Sequence, residues 1–145
     1  MRRIRRVLCF LGLSLLVAGC ASTSGSRGVE QGFTMNTSPK LPTADAHVKV
    51  RVDATGDHVV ELSITHLPPA ERAFAGTTLY MVWLVPDNAP PHAIGSLDVG
   101  DDLKAKVTIK TPNESFEVLV TAEVDAFVSA PSRNRAFVVA IRAAV

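Results

Sequence analysis

The chain has 145 residues, of which 47% are hydrophobic and 20% are charged, and its formal net charge is +1. Four of its 15 basic residues are Arg2, Arg3, Arg5 and Arg6, so the remainder carries 11 basic against 14 acidic residues, a net of −3. A protein that binds a phosphate backbone needs clustered Lys and Arg, so this mildly acidic remainder argues against a nucleic-acid partner.

The N-terminal 20 residues have the order of a secretory signal peptide. A basic stretch, 1–6, precedes an apolar run, 7–17, and the small residues Ala18 and Gly19 then precede Cys20. An apolar run of about 11 residues fits a signal-peptide core and is too short for a transmembrane helix, which needs about 20. Both cysteines, Cys9 and Cys20, lie in this segment. Residues 21–145 therefore can hold no disulfide, thiolate metal site or catalytic thiol.

The four residues Val17-Ala18-Gly19-Cys20 resemble the bacterial lipobox. The resemblance implies a signal peptide over 1–19, cleavage between Gly19 and Cys20, and acylation of Cys20. Each buried methylene contributes about 0.8 kcal/mol, so two or three acyl chains would hold the protein in a membrane. Ala21, where an Asp would favour the inner membrane, implies the outer membrane facing the periplasm. An ordinary signal peptide with a chance cysteine is the alternative.

Residues 20–44 predict a lipidated cysteine followed by a flexible tether. Ser, Thr, Gly and Pro dominate this segment, and it shows too little apolar periodicity to offset the entropy of ordering. As a coil it would span roughly 25 Å. Phe33 and Met35 are interpreted as incidental apolar residues.

Residues 45–145 predict one all-β domain. Short runs rich in β-branched residues alternate with turn residues at intervals of about 10 to 15 positions, which is typical of a sandwich or barrel. The predicted strands are 47–53, 58–66, 77–85, 92–99, 103–110, 115–124 and 135–143.

The strand patterns favour a seven-stranded immunoglobulin-like antiparallel sandwich. The first two strands flank the turn residues 55–57 and predict a hairpin. The third is apolar on both faces, which predicts a central position, and Gly95 predicts a bulge in the fourth. Trp83 on the third strand fits the immunoglobulin-like arrangement. A small barrel is the competing closure.

A second resemblance covers roughly 77–141. Tyr80-Met81-Val82-Trp83-Leu84, Ile94-Gly95-Ser96-Leu97 and the run from Phe116 to Glu123 are similar to motifs in the C-terminal extracytoplasmic domain of anti-sigma-K factors. The resemblance implies a sandwich and an envelope location. The sigma-binding helical region of that family has no counterpart in this sequence, so no sigma factor is expected as a partner.

No motif predicts a catalytic, cofactor or metal site. The four histidines do not stand at metal-ligand spacing, although a spatial cluster stays open; they are His47, His58, His66 and His92. Nucleophile-elbow and phosphate-cradling patterns are missing from the sequence.

The remaining polar and aromatic candidates are interpreted structurally. Tyr80 and Trp83 are interpreted as core residues, and Asp101-Asp102 as a turn, with a Ca²⁺ site including Asp98 as the alternative. Glu123 and Asp125 are interpreted as solvated. Three lysines share one strand face and are interpreted as solvated, with an acidic polymer or lipid headgroup as the other possible contact: Lys104, Lys106 and Lys110.

These observations favour a non-catalytic envelope module that binds a protein partner or displays a surface. The alternative is a lipoprotein that binds a small ligand or a metal through one of the histidines. An enzyme is not expected.

Overall fold

The computed structural model describes residues 29–142. The predicted signal peptide, the cleavage site at Gly19 and the lipidation site at Cys20 lie outside the described residues. Within 29–142 the chain forms two antiparallel sheets and one short helix. The prediction of an all-β sandwich is confirmed at this level.

The elements follow one another in chain order as β1 Gln31–Thr34, β2 Asn36–Thr37, β3 Asp45–Val52, β4 His58–Thr65, α1 Ala70–Ala73, β5 Leu79–Pro86, β6 His92–Ser96, β7 Ala105–Thr111, β8 Phe116–Glu123 and β9 Arg135–Ile141. The first sheet has the order β1-β3-β4-β7, and the second has the order β2-β9-β8-β5-β6. The main core lies between the two sheets.

The predicted hairpin of the first two strands is confirmed as β3 and β4. Val48 pairs with Leu62 and Val50 pairs with Val60, and all four side chains are buried. The alternation of Val with charged residues in β3 therefore does place one face in the core and one in solvent. Gly56, at a φ of 90°, closes the turn between the strands.

The tether predicted over 20–44 is wrong for residues 31–44. Phe33 in β1 pairs with Val48 of the first sheet, and β2 pairs with β9 of the second, so the segment crosses from one sheet to the other. Met35 at the crossing is 3% exposed, and Leu41 is 1% exposed. The described residues therefore contain nine strands rather than seven. The polar composition of residues 31–44 predicted a tether because both added strands are short edge strands with mostly exposed side chains.

The predicted central strand is confirmed, since β5 pairs with β8 on one side and β6 on the other. Its inward residues Tyr80, Val82 and Leu84 join the main core. Trp83 is fully buried, but it lies on the outer face with Met81 and Leu119. The tryptophan of an antibody domain packs inside the sandwich. The prediction that Trp83 fits the immunoglobulin-like arrangement is therefore wrong.

Three predicted core residues near strand ends are exposed. Val52 is 44% exposed, Leu103 is 40% exposed and Val124 is 58% exposed. Leu103 stands before β7 at a φ of 58°, and Val124 follows the last residue of β8. At Leu103 and Val124 the alternation extends past the point where pairing ends, which is why the pattern overextended these two strands. Val52 still pairs with His58 and is exposed as the last residue of β3. The bulge predicted at Gly95 is confirmed by the register shift between β5 and β6.

Candidate functional site

The two ends of the sandwich differ in what they carry. The described residues begin at Val29, and Gln31 pairs with Val50 near the end of β3. We call this end of the sandwich the proximal end. It includes the turns 53–57 and 112–115. The opposite, distal end carries the connections 66–78, 97–104 and 124–134. The last of these joins β8 to β9 and is called the β8–β9 loop.

A buried carboxylate fixes the start of the β8–β9 loop. Glu123 is 4% exposed, so its interpretation as a solvated residue was wrong. Its Oε1 accepts hydrogen bonds from the Thr121 hydroxyl at 2.5 Å and from the Ser132 backbone N–H at 2.8 Å. Thr121 in turn accepts a hydrogen bond from the Trp83 indole N–H at 2.9 Å. Burial of a carboxylate is costly unless it is hydrogen-bonded, and here the bonds tie the loop to the sheet.

Further hydrogen bonds hold both ends of the loop. The Ser132 hydroxyl donates to the Ala122 carbonyl at 3.2 Å and accepts from the Asn134 N–H at 3.2 Å. On the other side, the Thr78 hydroxyl donates to the Val124 carbonyl at 2.7 Å. The loop is thus connected to the residue that precedes β5, to β8 and to itself.

The middle of the loop lies over the outer face of the second sheet. Val128 packs, partly buried, against the cluster of Met81, Trp83 and Leu119. Together with Leu79, Val85 and Val138, this contact covers Trp83, which is why it is fully buried on a face that points away from the main core. The sequence signal for it is the run of apolar residues on both faces of β5.

Phe127 points away from this packed loop. Its side chain is 94% exposed, and its backbone N–H donates to the Asp125 carboxylate at 2.7 Å. Neighbouring Val124 is 58% exposed. The loop therefore presents an aromatic side chain from a hydrogen-bonded turn, which suits an anchor residue of a protein interface. Sequence reasoning missed Phe127 because nothing in its local pattern distinguishes an exposed aromatic from a core one.

A pocket opens at the proximal end, between the edges of the two sheets. Its volume is about 380 Å³. Buried Val50 and Ile141 contribute its apolar lining, while Arg51, His58 and Glu114 contribute polar groups. This volume falls in the range of small-molecule sites, about 300–1,000 Å³.

His58 has an unusual environment in that pocket. Its Nδ1 is the one buried side-chain polar atom in residues 29–142 without a hydrogen-bond partner. The imidazole meets the Phe116 ring edge to face, with the ring centroids 6.2 Å apart. A buried polar group without a hydrogen bond costs about 1–3 kcal/mol, so this position calls for an explanation.

The other three histidines do not join it. His47, His66 and His92 are exposed, and the nearest polar contact of His47 is the Thr34 hydroxyl, 3.4 Å from its Nδ1. In the part of the chain that the structure describes, no group of three or more His, Cys, Asp or Glu side chains is placed to hold a metal ion. Asp102 accepts a hydrogen bond from the Lys104 N–H at 3.3 Å, which confirms its place in a turn.

The three lysines do not form a free cationic stripe. Lys110 lies 2.7 Å from Asp53 and 3.2 Å from Asp57, and Lys104 lies 3.8 Å from Asp102. The Lys110 ammonium, with the Thr55 hydroxyl, holds the pKa of the Asp53 carboxyl well below its usual range. Lys104 and Lys110 thus neutralise nearby acids, whereas Lys106 is exposed and makes no ion pair within residues 29–142.

The described residues define a two-sheet antiparallel β-sandwich with a rigid loop at its distal end and a small pocket at its proximal end. No protein-family model matches the chain, and the comparison with curated proteins gives no match either. No helix in residues 29–142 is long and apolar enough to span a membrane.

Proposed function

We propose that the chain is a lipid-anchored protein of the bacterial envelope, whose sandwich is a non-catalytic module for binding another protein. Acyl chains on Cys20 would hold it in a membrane after removal of residues 1–19. The order of arginines, apolar run and lipobox-like residues supports this proposal. The same resemblance favours the outer membrane, with the domain facing the periplasm.

The observation that carries the proposal is the placement of the two ends of the sandwich. Gln31 stands eleven positions after Cys20 in the sequence, and eleven residues span at most about 40 Å. The proximal end would therefore stay within about 40 Å of the membrane. The β8–β9 loop, with exposed Phe127, lies at the opposite end, where a partner can approach without obstruction by the bilayer.

We further assign the sandwich to the immunoglobulin-like type. The pairing of β4 with β7 and of β5 with β8 links strands that are distant in the chain, and hairpins join β5 to β6 and β8 to β9. Neighbouring strands that are distant in the chain, combined with hairpins in the same sandwich, are typical of the Greek-key connections of immunoglobulin-like sandwiches. From the resemblance to anti-sigma-K factors we infer only a sandwich fold and an envelope location.

A non-catalytic role is consistent with the polar residues of the interior. The buried polar side chains of the described range are Thr77, Thr111, Thr121 and Glu123. Each makes hydrogen bonds that hold a turn or a loop. Structural hydrogen bonds therefore account for the burial of all four side chains without a catalytic role.

Metabolic labelling with a palmitate analogue, followed by membrane fractionation, tests the anchor. The wild-type chain is expected to take up label and to sediment with membranes, while Cys20→Ala loses the label. Cys9→Ala is the matched control, because Cys9 would be removed with the signal peptide. An unlabelled wild-type chain, or a labelled Cys20→Ala variant, would contradict the anchor.

A small-ligand role is the second candidate, and the proximal pocket favours it. Its apolar lining, together with the polar side chains of Arg51, His58 and Glu114, suits a small amphipathic molecule. Native mass spectrometry of the protein isolated from its own cells tests this role. A bound species that disappears in His58→Phe but stays in His92→Phe would support it, whereas an unliganded wild-type mass would exclude it.

A further inference from the structure

We propose that the proximal pocket binds a small zwitterion with an apolar group, of which an apolar α-amino acid is the simplest example. This inference rests on the small-ligand role, which is the second candidate function above, and it names the class of ligand. It depends neither on the lipid anchor nor on a protein partner.

The floor of the proximal pocket is apolar and belongs to both sheets. Val50 of β3 and Ile141 of β9 are buried residues that line the cavity. Its volume of about 380 Å³ lies near the lower end of the range for small-molecule sites. Such a floor stabilises one aliphatic or aromatic group of a ligand by removing it from water.

Three side chains that can carry charge line the same cavity and make no hydrogen bond within the described residues. They are Arg51 in β3, His58 in β4 and Glu114 in the turn 112–115. The ion pair of Arg51 with Glu61 is 3.9 Å long, which exceeds hydrogen-bond distance. Within residues 29–142 Glu114 makes no ion pair, whereas Arg142, which also lines the cavity, is paired with Asp87. The cavity therefore offers a guanidinium and a carboxylate that do not pair with each other.

The environment of His58 gives its imidazole the role of a donor. Its Nδ1 is buried without a partner, so a hydrogen on that nitrogen would have no acceptor. Among backbone groups, buried N–H groups without an acceptor are rarer than unsatisfied acceptors. The same preference favours the neutral tautomer of His58 with its hydrogen on Nε2. Nε2 is not among the buried unpartnered atoms of residues 29–142, so solvent in the cavity reaches it.

These groups complement a molecule that carries a carboxylate, an ammonium and an apolar group close together. The Arg51 guanidinium and the His58 Nε2–H are donors that suit the carboxylate, and the Glu114 carboxylate suits the ammonium. The apolar group then lies on Val50 and Ile141. A simple anion would leave Glu114 unpaired, and a simple cation would leave both donors without an acceptor. Charge complementarity therefore favours the zwitterion.

Isothermal titration calorimetry of the purified full chain tests the ligand class. The probes are L-leucine, isocaproate, isoamylamine and glycine. The last three are the counterparts of leucine without the ammonium, without the carboxylate and without the apolar side chain. We expect L-leucine to bind and each counterpart to bind about tenfold more weakly or worse. A hydrogen bond to a charged group, or a buried aliphatic side chain, contributes at least about tenfold to affinity.

Two variants test the assignment of the charges. Glu114→Gln should weaken L-leucine about tenfold and leave isocaproate unchanged, because isocaproate lacks the ammonium that Glu114 binds. Arg51→Gln should weaken L-leucine and isocaproate but not isoamylamine. Glu117→Gln is the matched control, because Glu117 lies in β8 and does not line the cavity. Arg51 and Glu114 are exposed, so both variants should keep the wild-type unfolding temperature.

Several results would overturn the ligand class. It is wrong if L-leucine does not bind at millimolar concentration, or if isocaproate or isoamylamine binds as tightly as L-leucine. It is also wrong if Glu114→Gln has no more effect than Glu117→Gln. Nitrogen-15 NMR of the free protein should place the hydrogen of His58 on Nε2, and a hydrogen on Nδ1 would refute its role as a donor.

Native mass spectrometry of the protein from its own cells separates this failure from failure of the small-ligand role. A bound species that is not a zwitterion would keep the role and refute the ligand class. An unliganded mass, together with no binding of L-leucine, would refute both.

Discussion

Truncation of Leu41 provides a direct test of whether residues 31–44 belong to the fold. Leu41 is 1% exposed and packs in the main core, although the surrounding sequence has the composition of a linker. Replacement of a buried Leu by Ala costs about 2–5 kcal/mol, because apolar contacts are lost and a cavity remains. The expected destabilisation is therefore a large fraction of the 5–15 kcal/mol that is typical of a domain.

Urea unfolding of the Cys20→Ala chain, followed by tryptophan fluorescence, measures this effect. With a cost of about 2–5 kcal/mol and a slope of about 1–3 kcal/mol per molar urea, Leu41→Ala should lower the unfolding midpoint by at least about 0.7 M. Thr43→Ala is the control, since Thr43 is exposed two positions away and surface substitutions usually stay within about 0.5 kcal/mol. If both variants unfold at the same urea concentration, Leu41 is not part of the core and the reasoning is refuted.

Three further predictions concern polar contacts. Glu123→Leu should destabilise by about 1–3 kcal/mol in urea unfolding, because the Thr121 hydroxyl and the part-buried Ser132 N–H lose their acceptor. Glu123→Gln should recover most of this loss, and equal effects of both variants would contradict the assignment. In wild type, the lowered native pKa of Asp53 stabilises the fold fully above the unfolded pKa of 3.8, and this stabilisation disappears as the pH falls below that value. The acid-unfolding curve of Lys110→Gln should lack this contribution. Burial and Glu71 raise the pKa of Tyr80 to about 12 from 10, so its stabilisation is complete below pH 10 and is lost as the pH rises toward 12. An alkaline unfolding curve of Tyr80→Phe should lack that loss, and a curve parallel to the wild type would refute it.

The features that were predictable from sequence are those that depend on neighbouring residues. The alternation in β3 and β4 and the turn at Gly56 predict the hairpin because a strand's two faces are encoded at period two. Two-sided apolarity likewise predicted the central place of β5, since only a strand covered on both faces excludes polar residues.

The features that were missed depend on residues far apart in the chain. Met35 becomes a core residue only because β1 and β2 pair with different sheets, which its polar neighbours do not reveal. Glu123 becomes a buried acceptor only because Ser132 folds back over it. The exposure of Phe127 follows from the same loop conformation, so no local pattern could have identified the candidate surface.

The buried carboxylate of Glu123 links the architecture of the loop to its proposed role. An apolar cluster of similar volume is often as stable as a whole buried polar network, so stability alone does not require a polar network here, even though removal of Glu123 by itself leaves its donors without an acceptor. A carboxylate, however, accepts hydrogen bonds only in certain directions, and its Oε1 takes one from Thr121 and one from the Ser132 backbone. These bonds select one path for the loop, whereas apolar packing would allow several. A fixed path matters for a loop that would present Phe127 to a protein partner, because the affinity falls with the fraction of time that the loop spends outside the binding conformation.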